Sequence, residues 1–305
     1  MEILYLLEGI RMPGLNEFMT TVTELGGETA FLVIALITFW CWDKLMGYFV
    51  LSVGFFGTLA NQFLKITCRI PRPWVLDPEF TILEESRAAA TGYSFPSGHS
   101  TNAVGTFGGL AAVAKEKWAR IIGVAIAILV PFSRMYVGVH TPADVLVGGA
   151  LSLVLIFVLK PVVYKDNGRY IRNILLVGVL MSLAYLFYVE CYPFPADTDA
   201  ANLSSAVSNG YTMLGALLGM VLVHYIDEEK LHFPVNAVWW AQVLKVVLGL
   251  LLVLAVKEGM KTPLNLLCGG HMIARAIRYF LVVVVAGAVW PLSFCWFAGL
   301  GRKEQ

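Results

Sequence analysis

PFSRMYVGVHTPADVLVGG, residues 131–149, is the stretch that decides how this chain is read. It sets Ser133, Arg134, His140 and Asp144 into otherwise apolar sequence, with five residues between Arg134 and His140 and three between His140 and Asp144. Polar groups at membrane depth are costly, so each is a functional candidate by default. The helix punctuation is also legible. Thr141 suits an N-cap, Pro142 the first helical position and Asp144 the third. A helix is therefore predicted to open at 142, with His140 at its mouth and Asp144 one turn inside. A histidine near a fixed carboxylate is an oriented base or nucleophile. The same residues also read as a capping box in which Asp144 only holds the helix start. The stretch alone leaves both readings open.

Working outward, the chain of 305 residues is 58% hydrophobic and only 14% charged, against about 25% charged in soluble domains. Apolar runs near the ~20 residues of a membrane span recur throughout. The expected fold is all-α: a polytopic transmembrane helix bundle of about nine spans, near 28–42, 45–64, 97–114, 121–137, 142–159, 171–189, 210–226, 235–256 and 277–298. Residues 1–27, interrupted by Pro13-Gly14, read as an interfacial amphipathic segment. Residues 28–160 read as the catalytic membrane core, and 161–305 as additional spans of the same bundle. The N-terminus lacks a basic region and a small-residue cleavage site, so no removable signal is expected. Net charge is +1, which gives no case for nucleic acid as a partner. Five cysteines without regular spacing suggest no disulfide framework.

With nine spans, Lys65, His99 and His140 fall on one side of the membrane. Loops 115–120 and 160–172 fall on the other and carry seven Lys or Arg, whereas 190–208 carries none. The positive-inside rule then places the Lys65/His99/His140 side outside, or in a lumen. Four basic residues in 257–278 pull mildly the other way.

Three polar clusters share that side: Lys65 with Arg72-Pro73, Pro96-Ser97-Gly98-His99, and Ser133-Arg134 with His140 and Asp144. Lys65, Arg72 and Arg134 offer three cations, two of them forks that match phosphate oxygens. Ser97 and Gly98 open a helix, where backbone N–H groups attract an anion. The two histidines supply a nucleophile and a proton donor. The sequence has no carboxylate cluster for Mg²⁺ and no zinc spacing, so the expected chemistry is phosphoryl transfer with no metal and no cofactor. Singly, the same residues read as span-end anchors, an ordinary turn and a buried structural cation; jointly they make a phosphate site.

These residues resemble the type 2 phosphatidic acid phosphatase superfamily, the lipid-phosphate phosphatases, whose wider circle includes the soluble vanadium haloperoxidases. The family signature is Lys-x6-Arg-Pro, Pro-Ser-Gly-His and Ser-Arg-x5-His-x3-Asp, and all eleven fixed positions are present in order, within about 45–158. The resemblance implies that His140 attacks phosphorus and becomes a phosphohistidine, and that Asp144 orients it. It implies that His99 protonates the leaving alkoxide and then activates water. Lys65, Arg72, Ser97, Gly98 and Arg134 would hold the phosphate. The expected activity is metal-independent hydrolysis of a lipid phosphate monoester or diphosphate in a multi-pass membrane protein. Its partners would be the lipid-phosphate substrate and the bilayer. A lipid phosphotransferase using the same histidine, or a transporter or scramblase built on the bundle, are the alternatives. The nine-span layout is similar to that of the sphingosine-phosphate and glucose-6-phosphate phosphatase branches. Lys245, amid an apolar run, is expected to snorkel, to pair with a buried acid or to line a path. Asn265, His271, Arg275 and Arg278 read as interfacial anchors or as a second head-group contact.

Overall fold

In hydrocarbon a backbone N–H or C=O has no water to bond, so a long apolar run is stable only with its hydrogen bonds closed inside the segment. The computed structural model describes residues 1–88 and 90–300, and among these no strand forms. In chain order the α-helices are α1 (Glu2–Gly9), α2 (Pro13–Glu24), α3 (Glu28–Ile37), α4 (Lys44–Cys68), α5 (Pro73–Leu76), α6 (Gly98–Ala103), α7 (Gly109–Val113), α8 (Lys117–Tyr136), α9 (Pro142–Tyr164), α10 (Ile171–Cys191), α11 (Ala200–Ile226), α12 (Trp239–Gly259), α13 (Lys261–Leu267), α14 (Ile273–Val284) and α15 (Phe294–Gly299).

Seven stretches among the described residues are long and apolar enough to cross a bilayer, or eight if Pro13–Glu24 and Glu28–Trp42, bent by 56° to each other, form one broken span. The expectation of about nine is therefore close, and two of the expected runs are shorter than a full span. The run 28–42 is too short to cross alone and is only one arm of the bent pair. The run expected at 97–114 forms sixteen helical residues, interrupted by the π turn Val104–Gly108. At ~1.5 Å per residue these rise about 24 Å, less than the ~30 Å hydrocarbon core, yet they run alongside α8, Ala103 against Val130 and Ala111 beside Gly123, and so carry the chain from the end of α8 near His140 to its other end.

The chain divides into two compact units. The first comprises Met1–Ile34, Phe49–Pro161 and Tyr192–Ala206. In it the N-terminal helices α1 and α2 lie against the region of α8. Met19 packs with Tyr136, Val137 and Val139, and Val22 with Ala103 and Val130. Arg11 Nε donates to Tyr136 O at 3.0 Å, and the Tyr136 hydroxyl donates to Asn16 Oδ1 at 2.7 Å. Small and hydroxylated residues bring α4, α6 and α9 together, as packing without a hydrophobic drive between helices requires. Asn61 Nδ2 on α4 donates to Thr101 Oγ1 on α6 at 3.1 Å. Thr101 Oγ1 donates to Gly148 O at 3.1 Å, and Ser152 Oγ donates to Thr101 O at 2.6 Å. Gly148 permits the α6–α9 approach, because a Cβ there would lie 2.5 Å from Ser97 O.

The second unit comprises Ala35–Tyr48, Val162–Cys191 and the residues from Val207. Trp40, Phe294 and Phe297 are buried at its centre. Lys245, 1% exposed, pairs with no acid among the described residues: its Nζ donates to Trp40 O at 2.8 Å and Val235 O at 3.0 Å, over the Phe294 ring. Two backbone carbonyls and an aromatic face replace water around the ammonium.

Candidate active site

The site forms in the first unit where the C-terminal ends of α4 and α8 meet the N-terminal ends of α6 and α9. The turn between α8 and α9 reverses the chain in five residues. Gly138 adopts φ +88° there, a region that favours glycine. The predicted helix start is present: Thr141 N–H donates to Asp144 Oδ2 at 2.7 Å, and Asp144 N–H donates to Thr141 Oγ1 at 3.3 Å. This is a capping box with aspartate at the third position. Asp144 is not only a cap. The same Oδ2 accepts the Ser94 hydroxyl at 2.6 Å and faces His140 Nδ1 across a longer 3.4 Å.

His140 is 2% exposed and lies between Asp144 and Arg72. Arg72 Nη1 stands 2.9 Å from Nε2. A guanidinium has only donors, so this contact fixes Nε2 as the acceptor and leaves the ring proton on Nδ1, toward the carboxylate. Burial holds the imidazole well below the usual histidine range, and Arg72, Arg134, Lys65 and His99 push the same way. The ring is thus neutral, with its lone pair on Nε2.

The three expected cations differ in what they already hold. Arg72 donates from Nε to Gly92 O at 3.0 Å, from Nη1 to Val139 O at 3.0 Å and from Nη2 to Thr91 O at 2.7 Å. Lys65 Nζ donates to Tyr93 O at 2.5 Å. Arg134 is 0% exposed, and only its Nη1 is engaged, donating to Thr23 Oγ1 at 2.8 Å. Its Nε and Nη2 have no hydrogen-bond partner among the described residues. Buried donors without acceptors are rare and costly, and these two N–H groups are free to take the oxygens of an anion.

Ser97 caps α6: its Oγ accepts from Ser100 N–H at 3.3 Å, while its own N–H donates to Asp144 O at 2.9 Å. The backbone donor expected at Ser97 is therefore already used. At Gly98 a Cβ would meet only Asn61 Oδ1 at 3.8 Å, so protein packing does not demand glycine there. His99 stands within electrostatic reach of Arg134, Arg72 and Lys65. Ser133 Oγ donates to Val130 O at 2.7 Å within α8. Among the described residues no group of three or more His, Cys, Asp or Glu is placed to hold a metal.

Three residues that complete the arrangement are not among the sequence candidates: Ser94, Thr23 and Asn61. Asn61 carried a usable signal, a buried amide one turn before Lys65 in an apolar helix. Ser94 and Thr23 carried none, since hydroxyl residues in loops and amphipathic helices are common.

Residues 44–167 match the PAP2 superfamily, and residues 211–303 match the family described as PAP2 superfamily phosphatase, transmembrane extension. The phosphatidylglycerophosphatase B of Bacillus subtilis (strain 168) is 36% identical over 171 residues, covering 50% of this chain and 76% of the relative. The chain belongs to the PAP2 superfamily. It is accordingly a multi-pass membrane protein and a phosphatase. Sphingosine-1-phosphate phosphatase 1 of Mus musculus is 26% identical over 256 residues, covering 78% of this chain and 58% of that relative. Among solved structures, the transmembrane PAP2 type phosphatidylglycerolphosphate phosphatase from Bacillus subtilis is similar at 34% identity and a TM-score of 0.46, over 54% of this chain and 85% of that one.

Proposed function

We propose that this PAP2 phosphatase hydrolyses a lipid phosphate monoester or diphosphate, without a metal ion, at the external or lumenal face of its membrane and through a phosphohistidine at His140. The observation that carries this reading is the buried Arg134 fork with two unpartnered nitrogens, beside a neutral His140 whose Nε2 lone pair is fixed by Arg72 and Asp144. As substrate enters, Arg72 Nη1 turns from Nε2 to a phosphate oxygen; the freed Nε2 attacks phosphorus, forming the N–P bond as the P–O bond to the lipid breaks, and the departing alkoxide takes a proton from His99. The substrate's negative charge offsets the three cations around His99, so a protonated ring is stabilised there once substrate is bound. Water then attacks phosphorus and gives its proton to His99. The N–P bond breaks and inorganic phosphate leaves. Arg134, Arg72, Lys65, the Ser97 hydroxyl and the Gly98 backbone stabilise the transferring group, the main source of catalysis in phosphoryl transfer. Asp144 balances the charge that His140 acquires.

The names of the relatives, phosphatidylglycerophosphatase B and sphingosine-1-phosphate phosphatase 1, point to lipid phosphates as the substrate class. The face assignment rests on the seven basic residues of loops 115–120 and 160–172. The test is phosphate release by purified protein across a panel of lipid phosphates, with radiolabelled substrate quenched in alkali to preserve a phosphohistidine. The expected result is an acid-labile phosphoprotein in the wild type and neither label nor turnover in His140→Ala. A folded His140→Ala protein that turns over at the wild-type rate would overturn the assignment. Transfer of the label to an added alcohol rather than water would redirect it to a phosphotransferase.

A further inference from the structure

In the second unit, α13, the loop after it and the first turns of α14 line an open cavity of about 200 Å³ whose polar lining is Lys261, Asn265, His271, Arg275 and Arg278. No Asp or Glu lines it. Arg275 and Arg278 lie three residues apart on α14, both close to the Tyr279 ring, at 5.8 and 5.4 Å. Arg275 Nε donates to Thr212 Oγ1 at 2.7 Å. Arg278 is only 8% exposed, and its Nε has no hydrogen-bond partner among the described residues. Among those residues neither arginine forms an ion pair.

Two like charges one turn apart repel, and a buried donor without an acceptor is unfavourable. One anion in the cavity relieves both. Forked guanidinium groups select a planar or tetrahedral oxyanion, and Lys261 adds a third charge at the exposed lip. Met272, 39% exposed, also lines the cavity, and elsewhere on α13 Leu266 and Leu267 are 77% and 81% exposed. In a membrane-spanning chain such exposed leucines face lipid, so the anion at hand beside α13 is a lipid head group.

We propose that this cavity is a second phosphate site, separate in its residues from the His140 site, and that it takes the phosphate of an anionic lipid head group. Full-length protein in detergent would be titrated with short-chain phosphatidylglycerol, with inorganic phosphate and with short-chain diacylglycerol. Bound ligand would be counted by native mass spectrometry, and kcat/KM measured on a water-soluble aryl phosphate. Phosphatidylglycerol is expected to bind wild type and His140→Ala alike. Arg278→Gln is expected to bind it about tenfold or more weakly, with kcat/KM on the soluble substrate unchanged. Lys261→Gln, an exposed change that does not threaten folding, is expected to weaken binding in the same direction. Inorganic phosphate binding as tightly as the lipid, with the same dependence on Arg278, would make the site one for free phosphate. Diacylglycerol binding as tightly as phosphatidylglycerol would overturn the proposal. So would wild-type phosphatidylglycerol affinity in Lys261→Gln together with Arg275→Gln or Arg278→Gln.

Discussion

Replacing Asp144 with asparagine separates the two tasks that one carboxylate performs. Oδ2 accepts Thr141 N–H at 2.7 Å and the Ser94 hydroxyl at 2.6 Å, and faces His140 Nδ1 at 3.4 Å. An asparagine keeps the volume and one oxygen, so the first two bonds survive. The helix start then loses mainly its charge–dipole interaction, about 0.3–1 kcal/mol, partly offset because a buried amide is less costly than a buried carboxylate. The expected catalytic loss is larger, because the proposed phosphohistidine loses its counter-charge. Removing the carboxylate behind a catalytic histidine costs about 10⁴ in kcat in hydrolytic triads. Here Arg72 independently holds Nε2 as acceptor and the Asp144–His140 contact is long, so the expected loss is about 10²–10³, or about 2.7–4 kcal/mol of transition-state stabilisation. The assay pairs kcat on a water-soluble aryl phosphate with denaturant unfolding in detergent. Thr141→Ala is the counterpart. It deletes the cap oxygen and leaves the carboxylate, so about 1 kcal/mol of stability is lost with kcat near wild type. A folded Asp144→Asn protein that keeps its kcat while losing several kcal/mol of stability would reduce Asp144 to a cap and refute the reasoning.

Two further predictions follow from the same geometry. Because burial and cations hold His140 well below the ordinary histidine range, the folded state binds fewer protons there than the unfolded chain. Stability is therefore expected to fall as pH drops below about 6.5. In nitrogen-labelled histidine spectra the signal missing from His140→Ala should stay neutral down to about pH 6, and a midpoint near the ordinary 6.5 would contradict the assignment. Gly98→Ala and Gly148→Ala should differ in kind. The first adds a methyl that meets only Asn61 Oδ1 at 3.8 Å and should weaken substrate binding with the fold intact. The second forces Ser97 O away from 2.5 Å and should cost about 1–3 kcal/mol of stability. Equal unfolding midpoints for the two variants would refute the close approach of α6 and α9.

What the sequence determined by itself was local. The spacing from Thr141 to Asp144 builds a capping box wherever that helix starts, and a run of apolar residues must be helical in lipid whatever surrounds it. The chemistry was legible for the same reason: phosphoryl transfer needs particular side chains, and the three motifs state them in order. The tertiary structure decided the rest. Ser94 on Asp144, Thr23 on Arg134 and Asn61 on Thr101 join segments 40 to 111 residues apart, and a hydroxyl far along the chain carries no spacing to read. Lys245 illustrates the same limit. Its charge was evident, but its partners are two backbone carbonyls, groups every residue possesses. The polar group Asn265, His271, Arg275 and Arg278 was legible in the sequence, but not that it lines a cavity without acids, because whether Arg275 and Arg278 meet acids, water or each other depends on what packs around α14. Local hydrogen bonding and hydrophobic length are properties of a segment. The pairing of polar groups across a bundle depends on where small residues such as Gly148 let helices touch.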